Sequence, residues 1–227
     1  MNRNDDRRAG LEERLRFFEE IGAGFLSLSP TGRPAKCGSR ASRTLEEINA
    51  EILICRKCPL ASGRTQAVPG EGNPEAELMF VGEGPGHDED VQGRPFVGRA
   101  GQLLTRIINK MGLDRPAVYI ANIVKCRPPE NRLPLLAEVE ACTPYLLEQI
   151  AAIQPKVIVT LGKTATDFFA PSRESMTDRR GRFEEWRGIA VMPTFHPSYL
   201  VRNEGNKELK WMVWEDMQKV LGKLAER

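Results

Sequence analysis

Short apolar runs alternate with segments of helical periodicity from Leu45 to the end of the chain. Four runs have the length and continuity of buried strands, namely residues 78–81, 118–124, 157–161 and 189–195. Apolar residues at helical spacing predict helices at residues 101–111, 137–153 and 162–169 and over the last segment, from Leu209 to Leu224. Strands that alternate with helices predict an α/β fold with a parallel sheet covered on both faces.

The first 48 residues differ from this pattern and are predicted to form an N-terminal extension. Residues 11–25 have apolar side chains at helical spacing, and residues 28–42 are rich in Gly, Pro and Ser, as in a linker that contains Cys37. Residues 49–227 are then one domain. The first ten residues lack the apolar stretch of a secretory signal, and no apolar run could span a membrane. We therefore expect a monomer in the cytoplasm, or on the nucleoid if its partner is DNA.

The composition is that of a globular protein, and its charge is informative only in its distribution. Of the 227 residues, 41% are hydrophobic and 28% charged, and the net charge is +2. Residues 94–132 contain eight Lys and Arg but only Asp114 and Glu130 as acidic residues. Such a stretch usually forms a solvated face, and it indicates a polyanion partner only where it borders a binding site.

Four of the five cysteines have the grouping of a metal or cluster site. Two residues separate Cys55 from Cys58, and after a further 67 residues come Cys126 and Cys142, which are separated by fifteen residues. Without an export signal, disulfides are the poorer interpretation. Four thiolates suit either a [4Fe–4S] cluster or a zinc ion, and the spacing does not choose between them; buried structural thiols are the third interpretation.

Three polar segments follow predicted strands, where ligands bind in parallel sheets. Residues 82–86 are a Gly-rich turn that would let a ligand approach the backbone, or simply a tight connection to a helix. Residues 125–132 follow the second strand, and residues 196–202 follow the fourth. His196, one of two histidines, stands just past a strand end, which favours a functional role. His87 lies in a polar run, which is typical of the surface.

Five separated motifs resemble, in the same order, those of the family 4 uracil-DNA glycosylases. They are CRKCPLASGRTQAVPGEG from Cys55, VGEGPGHDEDVQGRPFVGRAGQLL from Val81, NIVKCRPPENR from Asn122, ACTPYL from Ala141 and TFHPSYLVR from Thr194. The resemblance covers roughly residues 49–225. It implies a three-layer α/β/α sandwich around a four-stranded parallel sheet, an enzyme that acts on uracil-containing DNA, and a structural [4Fe–4S] cluster on Cys55, Cys58, Cys126 and Cys142.

The resemblance also implies roles for single residues once uracil has been flipped out of the duplex. Phe96 would stack on the base, and Asn122 would read its O4 and N3–H. Glu83 and Gly84 would line the pocket, and Glu89 would exclude the 5-methyl group of thymine. His196 would donate to O2 as charge develops there, supported by Glu83 and Asn131 as further catalytic residues. Leu200 would fill the space left by the base, with Tyr199 and Arg202 near the DNA backbone.

Two departures from related families bear on the mechanism, and two other functions stay open. Gly84 stands where family 1 enzymes have an Asp beside the attacking water, which favours a dissociative path. Residues 125–134 contain no histidine, which favours turnover over the covalent capture seen in a related family. The alternatives are a non-catalytic DNA-binding or redox-sensing module and a nucleotide-binding protein with a zinc site. Colour separates iron from zinc, and release of free uracil separates an enzyme from a binder.

Overall fold

A mixed sheet of six strands runs through residues 43–226, the part of the chain that the computed structural model describes. Its strands are β1 (Glu71–Gly72), β2 (Leu78–Gly82), β3 (Tyr119–Asn122), β4 (Val157–Leu161), β5 (Glu184–Trp186) and β6 (Ile189–Thr194). They are arranged in the order β1-β3-β2-β4-β6-β5. The inner pairs run parallel, with Gly82 opposite Asn122 at the carboxyl ends of β2 and β3.

The predicted number of four strands is therefore wrong, although the class of fold is confirmed. The two additional strands lie at the edges of the sheet and pair antiparallel with β3 and β6. They have two and three residues, and their sequences, EG and EEW, contain no apolar run. Hydrophobic periodicity identifies strands by their buried faces, so it could not reveal them.

Helices flank the sheet in chain order. They are α1 (Leu45–Ile54), α2 (Leu60–Gly63), α3 (His87–Gln92), α4 (Arg99–Lys110), α5 (Leu136–Ile153), α6 (Lys163–Phe169), α7 (Met176–Arg179), α8 (Pro197–Arg202) and α9 (Lys207–Ala225). Single 3₁₀ turns occupy Arg115–Ala117 and Pro129–Asn131. The four helices predicted from periodicity within the described residues correspond to α4, α5, α6 and α9, and their ends differ from the predicted ends by at most a few residues.

Two hydrophobic cores lie on opposite faces of the sheet. Met79 and Val81 of β2 face a core that includes residues of α1, α5 and α6. Leu78 and Phe80 of the same strand face a second core with residues of α4 and α9. Alternate residues of one strand thus pack against helices on opposite faces of the sheet, which is why the central strands are apolar on both faces.

The predicted boundary between residues 48 and 49 falls within α1. Leu45 and Ile48 are buried in the first core, and the Thr44 side chain caps the helix by accepting from the Glu47 backbone N–H. The predicted helix at residues 11–25 and the linker with Cys37 lie outside the described residues, so the division of the chain into extension and domain stays a prediction. Of the helices described, none is long and apolar enough to cross a membrane.

Gly101 allows α4 to pack against the loop that carries Phe96. A Cβ atom at position 101 would lie 1.9 Å from the carbonyl carbon and oxygen of Phe96, a distance that neither backbone can accommodate without moving. Gly222, in α9, provides a matched control, because a Cβ atom there would meet nothing within 4 Å.

We expect Gly101→Ala to lower the free energy of unfolding by about 2 kcal/mol or more, through overpacking. Gly222→Ala should be neutral or stabilising by up to about 1 kcal/mol, because alanine favours the helix. Thermal or urea unfolding of both variants measures the difference. Equal stabilities would contradict the packing of α4 on the Phe96 loop.

Candidate functional site at the carboxyl edge of the sheet

Four residues from separate chain segments meet where the central strands end. Gly82 ends β2 and Asn122 ends β3, while Phe96 lies in the loop after α3 and His196 follows β6. The Phe96 and His196 rings are 5.7 Å apart between centroids. A Cβ atom at Gly82 would lie 2.5 Å from Asn122 Oδ1 and 2.6 Å from Phe96 Cζ. Gly82 therefore lets the Asn122 amide and the Phe96 ring approach the end of β2 more closely than any side chain at that position would allow.

Asn122 has an unsatisfied acceptor beside Gly82 and Phe96. Its side chain is 1% exposed, and its Oδ1 is the one buried side-chain N or O atom of the described residues that has no hydrogen-bond partner. A buried acceptor without a partner costs free energy, so its persistence points to a donor that arrives with a ligand. Asn122 was predicted as a substrate-reading residue, and its surroundings suit that role.

His196 is held as a neutral imidazole with a defined donor. It is the N-cap of α8, where its Nδ1 accepts from the Ser198 backbone N–H at 3.1 Å and lies 2.8 Å from Ser198 Oγ. Because Nδ1 is an acceptor, the ring proton belongs on Nε2, which is left to donate. Burial, helped by the charge of Arg202, lowers the pKa of His196 from 6.5 to about 4. At neutral pH His196 is therefore an uncharged hydrogen-bond donor.

An ion-paired arginine that periodicity did not reveal holds the Phe96 loop. Phe96 has a backbone φ of 51°, which is unusual for a bulky side chain. The Arg115 guanidinium donates to the Phe96 carbonyl at 3.0 Å and to the Pro95 carbonyl at 2.8 Å. Arg115 is in turn paired with Glu71, which also binds Arg94. These contacts support the strained backbone that turns the Phe96 ring towards the site.

Glu89 has a positioning role in the same loop. One of its carboxylate oxygens accepts from the backbone N–H groups of Val97 and Gly98 at 2.8 and 2.9 Å. The other accepts from Gly86 N–H at 3.2 Å. These bonds join the Gly-rich turn to the segment just after Phe96. Its predicted part in excluding a methyl group stays a prediction.

The Gly-rich turn packs directly on the segment that follows β3. The Glu83 carbonyl accepts from Val124 N–H at 3.1 Å. A Cβ atom at Gly84 would lie 2.7 Å from Val124 Cγ2, so a side chain there would displace that residue. Glu83 and Gly84 thus pack on Val124, a residue of the first core, and their place in the lining of a pocket stays a prediction.

A buried polar network lies behind Asn122, and the sequence analysis missed it. Lys125 is 1% exposed, and its Nζ donates to the Asn122 main-chain carbonyl at 2.8 Å and to Gln149 Oε1 at 2.7 Å. Gln149 Nε2 donates to Asn49 Oδ1 at 2.7 Å and to the Pro69 carbonyl at 2.9 Å. The only sequence signal was a lysine next to a cysteine in a motif, and a lysine is normally taken to be exposed.

The four predicted cysteine ligands are free thiols that come together beside the first core. Cys126 and Cys142 are buried, and Cys55 and Cys58 pack against the same core. Their sulfurs are close enough to interact: ionisation of Cys126 is opposed by Cys58 and Cys55, and ionisation of Cys142 by Cys126 and Cys58. Burial raises the pKa of Cys126 and raises that of Cys142 to about 12.

Hydrogen-bond donors surround these sulfurs. Arg64 Nη1 donates to Cys126 Sγ at 2.9 Å, and Lys125 N–H donates to Cys142 Sγ at 3.2 Å. Lys57 N–H is 3.5 Å from Cys55 Sγ. Within residues 43–226, however, no group of three or more His, Cys, Asp and Glu side chains has the arrangement of a metal site. The donor set of four thiols suits an iron–sulfur cluster or a zinc ion equally.

The predicted DNA-contacting residues of α8 differ in exposure. Tyr199 is 40% exposed and Arg202 is exposed, as contact with a partner requires. Leu200 is 2% exposed and packs with Phe195 and Val213. A side chain in that position does not project from the surface, so the predicted wedge would have to leave its core contacts.

Asn131 lies on the exposed loop after β3, in a small polar cluster. Its Oδ1 accepts from Arg127 Nε at 2.8 Å, and Arg127 Nη1 is 3.1 Å from His87 Nδ1. His87 is exposed, as expected. These contacts place Asn131 beside exposed basic and polar side chains, while its predicted catalytic part stays a prediction.

The basic stretch at residues 94–132 is only partly a free surface. Arg94 and Arg115 pair with Glu71, and Arg132 pairs with Glu138. Lys125 is buried. Much of the excess positive charge counted along the sequence is therefore matched by acidic residues from other segments. Arg99, whose exposed guanidinium lies 3.9 Å from a carboxylate oxygen of Glu204, and Arg127 remain among the side chains of this stretch that can meet a polyanion.

Comparison with known proteins gives consistent matches. A sequence model of the uracil DNA glycosylase superfamily matches residues 69–218. The type-4 uracil-DNA glycosylase of Thermotoga maritima is 51% identical over 177 residues, covering 77% of this chain and 92% of that protein. The type-4 enzyme of Sulfurisphaera tokodaii is 48% identical over 186 residues, covering 78% of this chain and 83% of that protein.

A more distant relative has a related name. The type-5 uracil-DNA glycosylase of Pyrobaculum aerophilum is 33% identical over 187 residues, covering 68% of this chain and 82% of that protein. The alignments thus cover 82–92% of the length of these three relatives. Residues 69–218, which the superfamily model matches, contain Gly82, Phe96, Asn122 and His196.

The environment of His196 predicts a pH-dependent contribution to stability. In the unfolded chain a histidine takes up a proton near its ordinary pKa of 6.5, whereas folded His196 stays neutral down to about pH 4. This contribution to the free energy of unfolding is therefore complete above pH 6.5. It is lost as the pH falls towards 4, by at most about 3 kcal/mol.

Unfolding of the protein and of His196→Asn between pH 4 and 8 isolates this contribution. Asparagine keeps an acceptor for the Ser198 N–H but does not titrate. As the pH is lowered from 6.5 towards 4, the free energy of unfolding of the wild-type protein should fall more than that of His196→Asn. An identical pH dependence for both would contradict the neutral imidazole.

Proposed function

The chain belongs to the uracil DNA glycosylase superfamily, and we propose that it is a uracil-DNA glycosylase that removes uracil from DNA in base excision repair. Its substrate is a uracil flipped from DNA, and its products are free uracil and an abasic site. The names of the type-4 relatives support this activity. The observation that carries the assignment is the unsatisfied Asn122 Oδ1 close to Phe96, whose ring is 5.7 Å from that of His196.

Asn122 accounts for the choice of base. Uracil carries a donor at N3 and an acceptor at O4, so its N3–H would satisfy Asn122 Oδ1 while the amide donates to O4. Cytosine has an acceptor at N3 and would leave the buried Oδ1 opposed by a second acceptor. A site built to pair a polar edge rejects the unpaired analogue strongly. Phe96 supplies a ring face on which the base stacks.

His196 accounts for much of the rate. The bond between N1 of uracil and C1′ of the sugar breaks, water adds to C1′, and uracil departs with negative charge on O2. The Nε2–H of a neutral His196 would donate to that oxygen most strongly as the charge forms. The donor is held in place because Ser198 occupies Nδ1. Gly84 leaves no carboxylate beside the water, in keeping with a dissociative path.

We also propose that Cys55, Cys58, Cys126 and Cys142 hold a [4Fe–4S] cluster. Four free thiols from three segments make up the donor set of such a cluster, and N–H donors near three of them would stabilise the thiolates. Binding would have to displace protons from Cys126 and Cys142, whose pKa values are raised. Its role would be to tie the turn after α1 to the two flanks of residues 126–142.

Contact with DNA is assigned to exposed groups around the site. Tyr199 and Arg202 on α8 and Arg127 near Asn131 are exposed or partly exposed and border the loops that form the pocket. Phosphate contacts of this kind provide affinity without reading sequence. A monomer in the cytoplasm or on the nucleoid is in keeping with this function and stays a prediction.

The activity is tested with oligonucleotides that contain one uracil, one cytosine or one thymine. We expect free uracil from the first alone. His196→Asn should slow single-turnover excision about 10²- to 10³-fold while DNA affinity changes little. Asn122→Asp should slow it at least about 100-fold, because a donor to O4 is replaced by an acceptor. No release of uracil by the wild-type protein would refute the function, and folded variants with normal rates would refute the site.

The cluster is tested by colour and composition. Protein purified without oxygen should be brown and contain about four iron atoms per chain. Cys126→Ser should lose iron and stability, whereas Cys37→Ser, which changes the fifth cysteine, should keep both. A colourless wild-type protein that contains zinc would contradict the proposed cluster.

A further inference from the structure

The main-chain carbonyl of Asn122 accepts a hydrogen bond from a buried lysine. Lys125 Nζ donates to this carbonyl at 2.8 Å, three residues along the chain. The same Nζ donates to Gln149 Oε1, so the ammonium group lies between the end of β3 and helix α5. Lys125 is 1% exposed and Gln149 is 0% exposed.

Burial of this ammonium group is costly, which makes its position informative. An ammonium group removed from water needs strong acceptors, and an apolar side chain of similar length would usually stabilise a core at least as well. A fully bonded buried network restricts its members to one arrangement. Here the two acceptors are the main chain of the base-reading residue and a glutamine on another element.

Gln149 is itself fixed at its other end. Its Nε2 donates to Asn49 Oδ1 on α1 and to the Pro69 carbonyl, which precedes β1. Lys125 therefore connects Asn122 to Gln149 of α5, which is itself hydrogen-bonded to α1 and to the loop before β1. The main-chain N–H of Lys125 also donates to Cys142 Sγ, so the network begins directly beside the cysteine site.

We propose that Lys125 is a positioning residue for uracil recognition, acting through the main chain of Asn122 with Gln149 as its support. The inference rests on the proposed function, because the role of Asn122 as base reader belongs to it. An Asn122 amide that shifts by about 1 Å would lose alignment with N3–H and O4 of uracil, a misplacement that typically costs about 10²-fold in rate. DNA affinity, which depends on exposed basic groups, would not change with it.

A double-mutant cycle on single-turnover excision tests the proposal. Lys125→Met keeps the length of the side chain and removes the donor. Alone, it should slow uracil excision about 10- to 100-fold, with DNA affinity unchanged within about twofold. In an Asn122→Ala background, the same change should slow excision by no more than about twofold, because the group that Lys125 positions is gone.

Gln149→Met provides a second variant, measured by the same cycle if Lys125→Met does not fold. It should slow excision less than Lys125→Met but should show the same dependence on Asn122. Ile150→Val, which removes one methylene beside Gln149 from the first core, is the control for general destabilisation. It should lower the melting temperature and leave the rate of the folded enzyme unchanged.

The outcomes separate this inference from the proposed function. An equal loss in the wild-type and Asn122→Ala backgrounds, or no loss in the wild-type background, would overturn the positioning role of Lys125. If Asn122→Ala alone leaves uracil excision unchanged, the assignment of Asn122 as reader fails first, and the positioning role fails with it. A loss confined to enzyme that retains Asn122 supports the proposal.

Discussion

The parallel direction of the four central strands is the constraint on which the site depends. Because β2, β3, β4 and β6 run the same way, their carboxyl ends lie along one edge of the sheet. Gly82, Asn122 and His196 end or follow three of these strands and therefore lie on the same side of the sheet. An antiparallel arrangement of the same strands would have separated these residues by the length of the sheet.

Charged side chains that are buried or partly buried fix the main chain around this edge of the sheet. Lys125 donates to the Asn122 carbonyl, and Arg115 donates to the Phe96 carbonyl. Glu89 accepts from a main-chain N–H in the loop after Phe96. In contrast, the Asn122 side-chain oxygen receives none. The main chain around the site is thus satisfied and Asn122 Oδ1 is not, which is the distribution that the proposed role of Asn122 requires of a preorganised site.

The positions of the main elements could be predicted because they follow from apolar periodicity. Helices α4, α5, α6 and α9 and the four inner strands all bury a continuous apolar face, and each was found within a few residues of its predicted ends. The edge strands β1 and β5 could not be found in this way, because they are short and polar and owe their conformation to a neighbouring strand. The direction of each strand was inferred only from alternation with helices.

The sequence alone determined the class of fold, the family, and which segments meet at the site, since strand ends and motifs are local features. Only the tertiary structure decided the state of individual side chains. It placed Lys125 in the interior, buried Leu200 among apolar residues, paired Arg115 with Glu71 and left His196 neutral. These properties depend on groups that are distant in the sequence but close in space. Burial and charge are set by all spatial neighbours together and not by the local sequence pattern.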